Sequence, residues 1–337
     1  MKLIPIQEAY KRLFDRQASI PELELHANGH CAHIGKLSPG CLKCFVADSF
    51  YVNFAVALAT GLPTECQADC PYCADDKTTR APKGSVTEAR TTWEMPVATA
   101  GWLRQHAIAN CQNSVIPSLS FSGGGDPLMH FDIVRSYMNE LKDEVEPQLS
   151  RLPWYFLYTN GVDMSEDCAK RCRDVGFDEV RFHLGASNFS ERVYRNMEIA
   201  AKVLGTVTVE TPAWPPHREK LFEMLPRIDG IGVQHLNLGQ VEVNIHNRES
   251  ILKAYPDGEF YQVLSYQMDD GGLVYELMRE VVEKGYSYSV LDCNGLVKAV
   301  QRGLDCGMPV REVTHDTTNL ENLADFEKWE RKQKKVL

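Results

Sequence analysis

The segment CQADCPYC places three thiols, Cys66, Cys70 and Cys73, directly after an apolar run and a Gly61-Leu62-Pro63 break. A loop this short can wrap all three around one cubane. Iron–sulfur clusters favour thiolate ligands, and a four-iron cluster normally takes four. Three local cysteines leave one iron open, and a chelating amino acid can use it. The same residues also suit zinc or a redox thiol group. The triad alone thus points to thiolate chemistry without choosing the metal.

Four more cysteines lie in suggestive places. HANGHCAHIGKLSPGCLKCF contains Cys31, Cys41 and Cys44, and YSVLDCNGLVKAVQ contains Cys293. Four thiolates would complete a second, auxiliary four-iron cluster. Structural zinc is the rival, with His26, His30 or His33 able to replace a cysteine. Cys111, Cys168, Cys172 and Cys306 read as buried small hydrophobes.

Elements that could position these groups follow from short β-branched or aromatic runs bounded by Gly, Pro and Asn. Strands are expected near Tyr51–Thr60, Val115–Ser122, Trp154–Thr159, Glu179–Gly185, Val207–Thr211 and Gly232–Leu238. Helices are expected near Val97–Asn110, His130–Val145, Ser165–Val175, Glu191–Leu204 and Arg218–Leu225. Such alternation implies an α/β fold with parallel strands and right-handed crossovers. A partial (βα)6 TIM-like barrel fits, although a flat doubly wound sheet gives much the same pattern. Beyond Val243 the pattern loosens, then resumes with a helix near Gly272–Lys284, the strand SYSVL and a second helix. Residues before Phe50 show no clear unit. The expected organisation is an N-terminal extension over 1–49, a core barrel over 50–245 and a C-terminal extension over 246–337 that closes the barrel and supplies Cys293.

Polar residues gather at the expected strand ends. FSGGGDPL supplies Gly123, Gly124, Gly125 and Asp126 after the second strand, where glycines let the backbone approach a ligand. YTNG supplies Thr159 and Asn160. In EVRFHLGA, alternation aims Arg181 and His183 to one side and Val180 and Phe182 to the other. VTVETPAWPP offers Glu210, and VQHLNLGQVEVN offers His235, Asn237, Gln240, Glu242 and Asn244.

Together these segments resemble the radical S-adenosylmethionine superfamily, and within it the group of relatives of pyruvate formate-lyase activating enzymes, over about Cys31 to Arg302. The resemblance implies that Cys66, Cys70 and Cys73 hold a 4Fe–4S cluster whose open iron binds S-adenosylmethionine. Reductive cleavage would then give a 5′-deoxyadenosyl radical that takes hydrogen from the substrate. It implies cofactor-binding roles for Tyr72 at the usual aromatic position, for Gly123, Gly124, Gly125 and Asp126 in the glycine turn, and for Thr159, Asn160, Arg181, His183, Glu210, His235 and Asn237. The commoner form of the turn carries Glu where Asp126 stands. Related members carry an N-terminal cysteine set and a late cysteine followed by residues matching Lys298 and Gln301. An external electron donor such as flavodoxin or ferredoxin is implied, with a peptide or small polar substrate. Activation of a glycyl-radical enzyme is the nearest alternative, and a zinc-stabilised binding protein without catalysis is the alternative of another class.

The composition sets bounds on these readings. Hydrophobic residues make up 44% and charged residues 24% of 337 residues, ordinary for a globular chain with a sizeable core. The formal charge of −10 argues against a generally basic surface for nucleic acid. The opening MKLIPIQEAYKRLFDRQ lacks the features of a secretory signal, and no run approaches the ~18 apolar residues of a membrane span. A cytoplasmic location and no membrane partner are expected.

Overall fold

The computed structural model describes residues 1–26, 31–44, 51–55, 65–74, 97–122, 125–263, 265–296 and 325–334. In chain order its elements begin with β1 (Lys2–Leu3), α1 (Ile6–Gln17), β2 (Glu24–His26), β3 (Cys31–Ile34) and β4 (Tyr51–Ala55). Alternation follows with α2 (Val97–Cys111), β5 (Ile116–Phe121), α3 (Phe131–Glu140), β6 (Trp154–Thr159), α4 (Glu166–Val175), β7 (Glu179–Phe182), α5 (Glu191–Val203), β8 (Val207–Pro212), α6 (Arg218–Ile231) and β9 (His235–Gly239). The rest comprises β10 (Glu242–Val243), α7 (Arg248–Ala254), β11 (Glu259–Gln262), β12 (Tyr266–Met268), α8 (Leu273–Lys284), β13 (Ser289–Cys293) and α9 (Phe326–Gln333).

The main sheet runs β2-β3-β13-β9-β8-β7-β6-β5-β4. From β4 through β9 to β13 every neighbour is parallel, and β3 and β2 add antiparallel strands. This order never reverses. Right-handed crossovers then put the intervening helices on one face, whereas a doubly wound sheet reverses at a switch point. Leu119, Phe121, Leu157, Val180, Phe182, Val209 and Leu236 pack in the apolar core on the helix side. The opposite face is buried too but polar, with Ser118, Ser120, Glu179, Arg181, Thr208 and Asn237. The architecture is a partial barrel with β2 and β4 as open edges, not a flat doubly wound sheet.

Several expectations differ in detail. SYSVL becomes β13, a seventh parallel strand beside β9, with Ser289 opposite His235 and Cys293 opposite Gly239. The segment before Phe50 contains α1 and the β2–β3 pair. Its charges hid the helix, because Arg12 and Arg16 each meet Asp269 at 3.0 Å. Those ion pairs fasten α1 to a small sheet ordered β1-β11-β12-β10. The fourth strand stops at Phe182 and enters a 3-10 turn, Leu184–Ser187. The helix expected over His130–Val145 is α-helical only to Glu140, then passes into a π turn, Leu141–Val145. The helix expected after SYSVL lies outside the described residues.

Helix ends follow local chemistry. Ser165 caps α4 by accepting from the Cys168 N–H at 3.1 Å, and Gly176 ends it at φ 101°. Proline suggests that α6 stops at Leu225, yet it runs to Ile231. Ile228 remains buried, Gly232 provides a left-handed stop, and Pro226 faces outward. Packing has outweighed one missing hydrogen bond. At the strands' amino ends, α9 packs Trp329 among Leu42, Ile116, Trp154 and Phe156. The barrel floor is thereby covered.

Pro226→Ala should stabilise the chain by about 1–2 kcal/mol, since it restores a helical N–H at an exposed site, partly offset by a freer unfolded chain. Urea unfolding measures this. A destabilised variant would show that the proline shapes the helix.

Candidate active-site cavity at the strand carboxyl ends

A cavity of about 370 Å³ opens at the carboxyl ends of the barrel strands, where barrel active sites form. The loop at residues 65–74 brings Cys66, Cys70 and Cys73 to one wall. Gly125, Asp126, Thr159, Asn160, His183 and Glu210 form others. Gly123 and Gly124 lie outside the described residues. Among the described residues, no three His, Cys, Asp or Glu side chains are gathered into a preassembled metal site. Cys66, Cys70 and Cys73 all line the cavity.

Asp126 joins three segments at this wall. Its carboxylate accepts from the Asn160 backbone N–H at 2.7 Å, the Leu128 N–H at 3.0 Å and the Thr159 hydroxyl at 3.0 Å. Its own N–H donates to the Glu65 carbonyl at 2.8 Å, directly before Cys66. The resemblance implies a cofactor-binding role for Asp126, which lines the cavity while its oxygens bind the strand ends. Asp126 holds the turn in place. Burial raises its pKa to about 6, although these donors work against the rise.

Asn160 reaches the triad itself. Its Nδ2 donates to Cys66 Sγ at 3.5 Å and to Gln67 Oε1 at 3.0 Å. An N–H aimed at sulfur favours thiolate, and hydrogen bonds to cluster sulfurs tune potential. The reading by motif missed Glu65, Gln67, His130 and Tyr158. Glu65 and His130 form a buried contact at 3.3 Å beneath the loop. Tyr158 was accessible by alternation, since β6 turns Phe156 and Tyr158 to one face.

On another wall, the Tyr72 ring lies 5.8 Å from His183 and 5.5 Å from Trp214. The Tyr72 hydroxyl and His183 Nδ1 are buried and have no hydrogen-bond partner among the described residues. Burial lowers the His183 pKa to about 4, so the ring is neutral near pH 7. A Cβ at Gly185 would collide with the Tyr72 hydroxyl and stand 2.8 Å from Thr211 Oγ1. Orphaned polar atoms, a glycine cradle and thiols on one loop suit a polar cofactor bound beside a thiolate-held cluster.

The cavity floor is a buried charge network. Arg181 donates to Glu179 at 2.7 Å, Glu210 at 2.9 Å and the Tyr158 oxygen at 3.1 Å, and its Cζ lies 4.1 Å from the Phe156 ring centroid. Burial works against ionised Glu179, but Arg181 and His235 hold its pKa at about 2. Three residues expected to contact the cofactor lie in this network. Arg181 is covered by Ser38 and Cys41, at 3.1 and 3.3 Å. Asn237 donates to Glu210 at 3.0 Å, and His235, first in β9, meets Ser289 at 2.7 Å and Asp325 at 3.4 Å. None of the three lines the cavity. They support it from below.

Of the second cysteine set, Cys41 and Cys293 have described side chains. Cys41 is buried in a 3-10 turn, Pro39–Cys44, that also carries Cys44. Its Sγ accepts from Asn237 Nδ2 at 3.4 Å, and burial pushes its pKa up to about 11 despite the nearby Arg181. Val290 pairs with Ile34 and Leu291 with His33. Continued two residues, that antiparallel register sets Cys293 opposite Cys31. Cys41 and Cys293 both lie within electrostatic reach of Tyr158. Cys111, Cys168 and Cys172 are buried, and Cys306 lies outside the described residues.

No protein-family model and no curated protein matches the chain. Among solved structures it is similar to anSMEcpe with bound AdoMet and Cp18Cys peptide, with TM-score 0.47, 14% identity, and coverage of 71% of this chain and 62% of that one. It is similar to Streptococcus suis SuiB, with TM-score 0.49, 12% identity, and coverage of 80% and 55%. It is also similar to Escherichia coli coproporphyrinogen III oxidase HemN, described as a radical SAM enzyme, with TM-score 0.47, 10% identity, and coverage of 78% and 61%. The chain spans less than two thirds of each. No described helix is long and apolar enough to cross a membrane.

The raised Asp126 pKa has a pH consequence. A native pKa of about 6 against an ordinary 3.8 gives stability that is fully present below pH 3.8 and lost as pH rises through 6. The unfolding free energy of wild type minus that of Asp126→Asn should fall by about 2–3 kcal/mol from pH 4 to pH 7. A difference that stays flat would contradict the assignment.

Proposed function

We propose that this chain is a radical S-adenosylmethionine enzyme. The observation that carries the reading is the Cys66–Cys73 loop at the carboxyl mouth of a parallel barrel, facing a cavity of about 370 Å³. When bound, a 4Fe–4S cluster with S-adenosylmethionine supplies one electron that splits the cofactor and yields a 5′-deoxyadenosyl radical able to take hydrogen from substrate. The chain's own residues prepare the place. Cys66, Cys70 and Cys73 would hold the metal, Asn160 would donate toward Cys66, and Asp126 would keep Thr159 and Asn160 against the triad loop. Tyr72, His183 and Gly185 offer a polar pocket, while Glu210 and Tyr158 form its floor.

The substrate class we assign is a peptide or small polar metabolite, supported by Glu210, Gln240 and Glu242 along the cavity. The electron donor would be a flavodoxin- or ferredoxin-like protein. We assign Cys31, Cys41, Cys44 and Cys293 to an auxiliary 4Fe–4S cluster. The register between Cys31 and Cys293 and the shared turn of Cys41 and Cys44 support it. Residues 1–49 and 246–337 would then act as extensions joined by that centre around the 50–245 core.

Anaerobic reconstitution tests both assignments. Wild type should bind about eight irons, and the Cys66→Ala, Cys70→Ala, Cys73→Ala variant about four. Dithionite-driven 5′-deoxyadenosine formation should vanish in the triple variant. Undiminished formation would defeat the triad assignment, whereas four irons and one zinc in wild type would replace the auxiliary cluster with zinc. Cys293→Ala should lower the metal count and speed proteolysis before Phe50, because bound metal contributes folding free energy there.

A further inference from the structure

The triad loop is bonded both internally and from outside. Cys73 N–H donates to the Cys70 carbonyl at 3.2 Å across Pro71 and Tyr72, and the Ala68 N–H lies 3.4 Å from Cys66 Sγ. The carbonyls of Pro71, Tyr72 and Ala74 all receive side chains from one distant segment. Asn244 Nδ2 donates to the Ala74 carbonyl at 2.8 Å, and Asn247 Nδ2 donates to the Tyr72 carbonyl at 3.2 Å. The Ser250 hydroxyl donates to the Pro71 carbonyl.

Asn247 is the centre of this segment. It is 1% exposed. Its Nδ2 also donates to the Glu242 carbonyl at 2.8 Å, and its Oδ1 accepts from the Asn244 N–H at 2.8 Å. Glu242 lines the cavity, so one amide side chain joins the cavity rim to the triad loop.

We infer that Asn247, assisted by Asn244 and Ser250, is a positioning residue that clamps the cysteine loop. The clamp fixes the backbone between Cys70 and Ala74 through the Pro71, Tyr72 and Ala74 carbonyls, and so the relative placement of Cys70 and Cys73. It also limits how far Cys70 and Cys73 can swing apart, and hence how readily metal escapes. Only the iron arm of its test rests on the cluster reading.

The experiment compares wild type with Asn247→Ala and, as a control, Gln234→Ala. Gln234 likewise bonds two backbone groups, the Val207 N–H and the Gly232 carbonyl, but at the opposite end of the barrel. In metal-free protein, amide hydrogen exchange over 66–74 should accelerate about tenfold in Asn247→Ala and remain unchanged in Gln234→Ala. In the reconstituted protein, first-order iron release to a chelator should also rise about tenfold, scaled to the loss of the hydrogen bond to the Tyr72 carbonyl. Asn244→Ala, whose side chain lies nearer the surface, should show the same pattern more weakly and serves if Asn247→Ala fails to fold. Exchange within twofold of wild type, or equal acceleration in Asn247→Ala and Gln234→Ala, overturns the clamp. Failure to bind iron overturns the cluster reading and leaves the exchange arm intact.

Discussion

A guanidinium can lie inside a barrel only if carboxylates meet it, and Arg181 lies there between Glu179 and Glu210. Removing one partner of such a buried pair typically costs about 3–5 kcal/mol. The constraint shapes the rest. Glu179, Arg181 and Glu210 come from β7 and β8, Tyr158 from β6 and Asn237 from β9. Ser38 and Cys41 come from the amino-terminal turn. One charge thus holds four strands and a distant segment together. It fills the lower lumen and leaves the upper lumen open as the cavity.

Above that floor, backbone hydrogen bonds are used to assemble chemistry. Asp126 spends its carboxylate on β6 and its N–H on the triad loop, so the glycine turn, the strand end and the cysteines move as one unit. Asn247 fastens the other side of the same loop. On the cavity wall, the Tyr72 hydroxyl and His183 Nδ1 are buried with no hydrogen-bond partner among the described residues.

Much of this was legible in the sequence where the causes are local. Ligand spacing located the triad, and alternation turned Arg181 and His183 inward. Alternation does not give height along the barrel. Arg181 and Asn237 sit lower than expected because the Pro39–Cys44 turn covers them, and His235 begins its strand at the other end. The choice of barrel over doubly wound sheet rested on strand order, which periodicity does not encode. Helix α1 was hidden because Arg12 and Arg16 find Asp269 some 250 residues away. Asn244 entered only as one of several polar residues after the sixth strand; its role, with Asn247 and Ser250, stayed hidden for the same reason. Asn and Ser resemble turn residues until their distant carbonyl partners are known.

The central claim is that the triad holds a cluster whose open iron meets S-adenosylmethionine. Electron paramagnetic resonance of the dithionite-reduced, reconstituted protein tests it most directly, using a variant with Cys41→Ala and Cys293→Ala to remove signals from the second centre. The account predicts a reduced four-iron signal whose g-values shift when S-adenosylmethionine is added. An iron signal unchanged by the cofactor, or a protein holding zinc and giving no signal, would contradict it.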